Sequence, residues 1–181
     1  MKNFSRRDPL FSLCGLNCGL CVMYIGRYCP GCGGGEGNQS CAIAKCSLNH
    51  EGVEYCSLCR AYPCEKYDGI EVLDSFIVHR NQKKDLEKMK RIGLEAYQKE
   101  LHEKMDILDL LLTEYNDGRR KSYYCLAVNL LELQDLRSVM DDIESEVRAS
   151  PLAVKEKAKI AVEHFEAMAE SRDIHLKLHK K

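Results

Sequence analysis

Ten of the eleven cysteines in this chain fall between positions 14 and 64, and they are the residues best equipped to do chemistry. They run Cys14-x3-Cys18-x2-Cys21, Cys29-x2-Cys32, Cys41-x4-Cys46, Cys56-x2-Cys59 and Cys64. Two thiolates separated by two residues chelate one soft ion, because the tight turn between them points both sulfurs inward. The N–H groups of that turn can then donate to the sulfurs and offset their charge. Three such pairs are present, Cys18/Cys21, Cys29/Cys32 and Cys56/Cys59, and Cys29-Pro30-Gly31-Cys32-Gly33 has the proline and glycines that suit a knuckle. One pair is a weak signal. Three pairs with four further cysteines point to soft-metal binding, with zinc the first assignment.

The alternatives are disulfides and iron–sulfur clusters. Eleven cysteines is an odd number, which suits a disulfide framework poorly. The first residues, MKNFSRRDPLFSLCG, hold no apolar run of signal-peptide length, so a reducing, cytoplasmic setting is expected, where clustered cysteines are metal ligands. Four-cysteine sites also suit clusters. Cys14-x3-Cys18-x2-Cys21 matches the spacing of radical S-adenosylmethionine enzymes, but the alternating strands and helices of their barrel do not follow it.

Ligand arithmetic narrows the zinc reading. Two separate tetrahedral sites use eight thiolates and leave two over, whereas three ions use all ten if two bridge. Combining neighbours in sequence joins Cys18/Cys21 to Cys29/Cys32 and Cys41/Cys46 to Cys56/Cys59, with Cys14 and Cys64 extra or bridging. His50 can replace a thiolate, or stand as a solvated loop histidine.

The elements that must position these sulfurs cannot be held by a core alone. Residues 1–68 have few large apolar side chains, and so short a segment needs a staple. A structural zinc site supplies on the order of 10 kcal/mol or more of binding free energy, which becomes folding free energy. The expected architecture is therefore a small metal-stabilised cysteine-rich module over 1–68, with zinc knuckles and little regular structure. An all-α helical bundle over 69–181 follows it.

The clearest helical stripe is Leu94, Tyr97, Leu101, Met105, Leu108, Leu112 and Tyr115, with Leu86, Met89 and Ile92 extending it backwards. Asn116-Asp117-Gly118 ends it. Leu126, Leu130, Leu133, Leu136, Met140, Ile143 and Val147 form one helix or two, and Ser150-Pro151 starts another, with Ala158, Ala161, Val162, Phe165 and Met168 on one face. Ile70 to Val78 reads as the entry to the first helix, and the tail from Asp173 as a short strand or a frayed end. These stripes are bundle core, although a period of 3.5 also fits a homodimer seam or a protein partner.

With the motifs in view, residues 14 to about 67 resemble a prokaryotic set known as domain-of-unknown-function family 3795. The likeness runs through Cys14-Gly15-Leu16-x-Cys18-x2-Cys21, Cys29-x-Gly31-Cys32 and Cys41-x-Ile43-x2-Cys46. It continues in order through Gly52-Val53-Glu54-x-Cys56-x2-Cys59 and Tyr62-Pro63-Cys64-Glu65-Lys66. The resemblance implies a small zinc-binding domain with all ten cysteines at family positions, and it brings no activity with it. The Cys21–Cys29 segment is shorter here than in many members, so a site formed there does not carry over.

Outside the cysteines, Arg119, Arg120 and Lys121 beside a helix start could bind an anion, or form a solvated turn. The run Lys83, Lys84, Lys88, Lys90 and Arg91 is broken by Asp85 and Glu87 and reads as a solvated face. Cys125 reads as a buried core thiol. His175 and His179 would share a metal only on a helix, and the tail alternates instead. Net charge is −1, with seven basic against six acidic residues over 1–68 and twenty against twenty-two beyond, so no field favours nucleic acid or an anionic membrane. No stretch reaches the roughly 20 apolar residues of a membrane span. The expected function is a zinc-fixed binding or regulatory module that contacts a partner. A redox protein or enzyme with a reactive thiol or a cluster is the alternative, and metal storage or sensing a third.

Overall fold

Residues 3–35, 41–50, 52–148 and 151–180 are described in the computed structural model of the chain. Among them the regular structure is helical, with seven α-helices and three short 3-10 turns; Phe11 and Asn17 form an isolated antiparallel bridge. The helices are α1 (Val22–Ile25), α2 (Ala42–Leu48), α3 (Gln82–Ile92), α4 (Leu94–Glu114), α5 (Lys121–Leu130), α6 (Leu133–Val147) and α7 (Val154–Ser171). None of the described helices is long and apolar enough to cross a membrane.

Packing divides the chain into two units, Met1–Leu101 with Leu178–Lys181, and His102–Lys177. The composition break near residue 68 therefore lies inside the first unit. The cysteine segment has too few apolar side chains to cover itself, and α3 supplies Leu86 and Met89, both buried. Helix α3 packs on the Cys56–Leu58 turn. Residues 70–78 are turns rather than the start of a helix. Asp74 explains why: its carboxylate accepts from the backbone N–H of His79 at 2.7 Å and of His179 at 2.8 Å, which fixes a loop.

The first unit closes around Phe11, Tyr55 and Tyr97, all buried, with ring centroids 5.4 Å apart for Phe11–Tyr55 and 4.5 Å for Phe11–Tyr97. Two ionic residues fasten this cluster. Arg6 donates to the carbonyls of Asp8 (2.9 Å), Phe11 (2.7 Å) and Glu54 (2.9 Å), and its guanidinium lies 4.9 Å over the Tyr55 ring. Asp8 accepts from the N–H groups of Leu10 and Phe11, from the Tyr55 hydroxyl and from the Gln98 amide. Burial raises the Asp8 pKa, but those hydrogen bonds outweigh it and hold the carboxyl below its ordinary 3.8. A buried polar chain runs beside it: Tyr97 donates to Asn17 Oδ1 at 3.0 Å, and Asn17 Nδ2 donates to Asp85 at 2.9 Å.

In the long helices the stripe differs from the expected one. The buried positions of α4 and its end are Tyr97, Leu101, Lys104, Leu108, Leu111 and Tyr115, steps of 4, 3, 4, 3 and 4. Leu111 takes the place of Leu112, and Lys104 that of Met105. The lysine is tolerated because its ammonium donates to the Leu131 carbonyl at 2.6 Å, just beyond the end of α5. Gly93, at φ 90°, separates α3 from α4, so the Leu86 series is a helix of its own.

Within the second unit, Asn116 and Asp117 accept from the N–H groups of Gly118, Arg119 and Arg120, which forms the expected stop. The Leu126–Val147 series is two helices, broken after Leu130, where Leu131 turns extended. Helix α7 begins at Val154 rather than at Pro151, with the Glu156 carboxylate accepting from the Ala153 N–H at 3.0 Å; Ser150 lies outside the described residues. Ala158, Ala161, Phe165 and Ala169 line its buried face against α6. The tail after Ser171 is a turn followed by irregular chain with no strand among the described residues, although Ile174, Leu176 and Leu178 alternate with exposed neighbours.

Candidate metal centre

The sulfurs are carried by short turns that neighbouring backbone fixes. Cys56 and Cys59 bracket one 3-10 turn, with the Cys59 N–H donating to the Cys56 carbonyl at 2.9 Å. Cys64 opens another, its carbonyl accepting from the Tyr67 N–H at 2.8 Å. Cys46 sits on α2. The Cys56 N–H donates to the Leu13 carbonyl at 2.8 Å and so ties this turn to the Cys14 loop.

Together Cys46, Cys56, Cys59 and Cys64 line a cavity of about 30 Å³, with Leu13 and Tyr67 among its walls and the exposed His50 at its side. A space of that size admits water-sized occupants, and its walls offer them four sulfurs. The Tyr67 hydroxyl donates to the Cys14 carbonyl at 3.2 Å and neighbours the Cys56 sulfur. Burial pushes the Cys56 thiol up to about 12, with the Tyr67 hydroxyl opposing it and the nearby thiols of Cys14, Cys64 and Cys46 adding to it.

The remaining cysteines form a second neighbourhood. Burial raises the Cys18 thiol well above its ordinary range, and Cys32, Cys14, Cys21 and Cys29 are close enough to raise it further by repulsion. Burial also raises Cys21, opposed by bonds from the N–H groups of Met23 and Tyr24 at the start of α1. Burial raises Cys32, opposed by the Leu13 N–H and by Arg6. Backbone donation to sulfur is thus present at Cys21 and Cys32, but from Met23, Tyr24 and Leu13 rather than from the turns between paired cysteines. Cys14 is the most enclosed thiol of the ten, at 8% exposure, and its sulfur lies 3.1 Å from the Ser12 hydroxyl and 3.2 Å from the Gln82 amide, which donates to it.

This arrangement regroups the sulfurs that sequence order would combine. Cys64, not Cys41, shares the cavity with Cys46, Cys56 and Cys59, while Cys41 neighbours Cys14 and Cys32. The reason is helical geometry. Cys41 precedes α2 and Cys46 lies five residues on, a rotation of about 140° on a helix of 3.6 residues per turn, so the two face different ways. Among the described residues no three Cys, His, Asp or Glu side chains stand close enough to grip an ion as they are. The donor chemistry and the cavity nevertheless fit one. Neutral thiols have no charge to share and nothing to draw them together until an ion displaces their protons.

The other candidate residues are placed elsewhere. Cys125 is buried in α5, as a core thiol should be. His175 and His179 lie on chain outside any helix, so no helical turn brings their rings together. Arg120 faces Asp117 at 3.6 Å, and Arg119 is exposed. Lys83 pairs with Glu71 at 2.9 Å and Lys88 with Glu100, consistent with a solvated, ion-paired face. Tyr67 was legible in sequence only as the end of the cysteine motif, and Gln82, 68 residues from Cys14, carries no local signal at all. No family model, curated protein or solved structure matches the chain.

Proposed function

We propose that residues 14–64 bind zinc through cysteine thiolates, and that the unit so held serves as a binding or regulatory module for a partner. The observation that carries the reading is the small cavity lined by four cysteines from three separate turns and helices. Zinc would be held by thiolates among Cys14, Cys18, Cys21, Cys29, Cys32, Cys41, Cys46, Cys56, Cys59 and Cys64. Its chemistry in such surroundings is to bond thiolates and hold the chain together, since a site saturated by four sulfurs keeps no open position for a substrate.

Zinc thiolates of this kind belong in a reducing compartment such as the cytoplasm. The experiment is elemental analysis with an absorption spectrum on chain purified without oxygen. Colourless protein with two or three zinc per chain is expected. Brown protein with iron and sulfide, or protein free of metal, would overturn the proposal.

A further inference from the structure

We infer that Cys46, Cys56, Cys59 and Cys64 form one complete four-thiolate site for a single zinc ion, independent of the other six clustered cysteines. This rests on the metal-binding reading above and goes further by assigning the ligands. Four sulfurs is the full complement of a tetrahedral structural zinc, and these four alone among the ten line the cavity. Neither Cys14 nor Cys41 does so. Cys14 is engaged with Ser12 and Gln82, and Cys41 is exposed at the start of α2.

His50 lines the same cavity and would be a fifth donor, but its ring is exposed and a four-coordinate ion needs only four. On binding, each thiol passes its proton to solvent as its sulfur bonds the ion, so Zn²⁺ and four thiolates carry a net charge of −2. Tyr67 and Lys66 line the cavity beside these ligands, with the Tyr67 hydroxyl next to the Cys56 sulfur. Outer groups of this kind fix ligand orientation.

The test uses the full chain, reduced and stripped of metal, then titrated with Zn²⁺ alone. Cysteines are alkylated at each step and located by mass spectrometry. Cys46, Cys56, Cys59 and Cys64 are expected to gain protection together and to lose it together when a chelator is added, with Cys41 following a different course. Alkylation of Cys64 while the other three are protected, or Cys41 tracking with them, would overturn the assignment. Absence of zinc-dependent protection at every cysteine would instead overturn the metal reading itself. Two variants at exposed positions supply a second arm that does not depend on a damaged fold. Cys41→Ser and His50→Ala should each keep the four-cysteine block and this ion. Loss of one zinc per chain in His50→Ala would make the histidine a ligand and refute the all-thiolate set. Loss of the block in Cys41→Ser would restore the order-of-sequence grouping.

Discussion

Gly15→Ala is the most direct test of how the cysteine loop is seated. Gly15 has φ 94°, and a Cβ there would run into the backbone carbonyl oxygen of Gln82 and lie 2.8 Å from Leu86 Cγ. The Leu86 side chain could turn aside, but the carbonyl belongs to the first residue of α3 and cannot move without dragging the helix. A left-handed conformation costs an L side chain about 1–2 kcal/mol, and forcing a methyl into a filled space costs about 1–3 kcal/mol more. The expected loss is therefore roughly 2–5 kcal/mol. Gly52 provides the control within the same unit: its φ is 69°, yet nothing lies within 4 Å of an added Cβ. Gly52→Ala should lose only the conformational part, about 1–2 kcal/mol. Urea unfolding of the reduced, metal-free chain, followed by circular dichroism and by the fluorescence of its tyrosines, compares the two; there is no tryptophan to use. If Gly15→Ala falls within about 0.5 kcal/mol of Gly52→Ala, the close approach of the Cys14 loop to α3 is refuted.

Three further predictions concern the same unit. Arg6→Ala strips three carbonyls of their donor and leaves Glu54 without its 3.3 Å partner, so a loss of about 3–5 kcal/mol in urea unfolding is expected, and Arg6→Lys should recover only part because one ammonium cannot reproduce the guanidinium's fork. Asp8 has a lowered pKa in the fold, so its contribution is present above the ordinary 3.8 and is lost as pH falls through the folded value; the stability gap between wild type and Asp8→Asn should close in that acid range, and a gap that stays constant would contradict it. Cys56 shifts the other way, from 9.0 to about 12, so the metal-free chain keeps its contribution below pH 9 and loses it as pH rises toward 12; Cys56→Ala should show a shallower alkaline fall in melting temperature, and parallel curves would contradict this.

The helices were readable in the sequence where apolar residues repeat and local chemistry ends the repeat. Asn116-Asp117-Gly118 stops α4 with its own side chains, and Leu126 to Ile143 lie buried as their spacing requires. The misreadings have tertiary causes. Lys104 occupies a buried position because a carbonyl 27 residues away receives its ammonium, and that partner leaves no mark on the periodicity around it. Residues 70–78 carry helix-compatible apolar spacing, but the Asp74 bond to the backbone of His179 comes from the far end of the chain. The division near residue 68 reflected composition. Packing depends on surface to be covered, and the cysteine segment takes its cover from α3 and the start of α4.

For the candidate centre the boundary between the two sources is sharp. The sequence alone determines that ten sulfurs crowd into residues 14–64 and that some are paired across tight turns, because a two-residue spacing is a local property of the backbone. Which sulfurs share a cavity is decided by the fold. Cys46 leaves α2 on a different side from Cys41, and the turn at Cys64 folds back so that Tyr67 reaches both Cys56 and the Cys14 carbonyl. Those approaches depend on the rotation of a helix and on contacts between distant segments, neither of which the spacing of cysteines encodes.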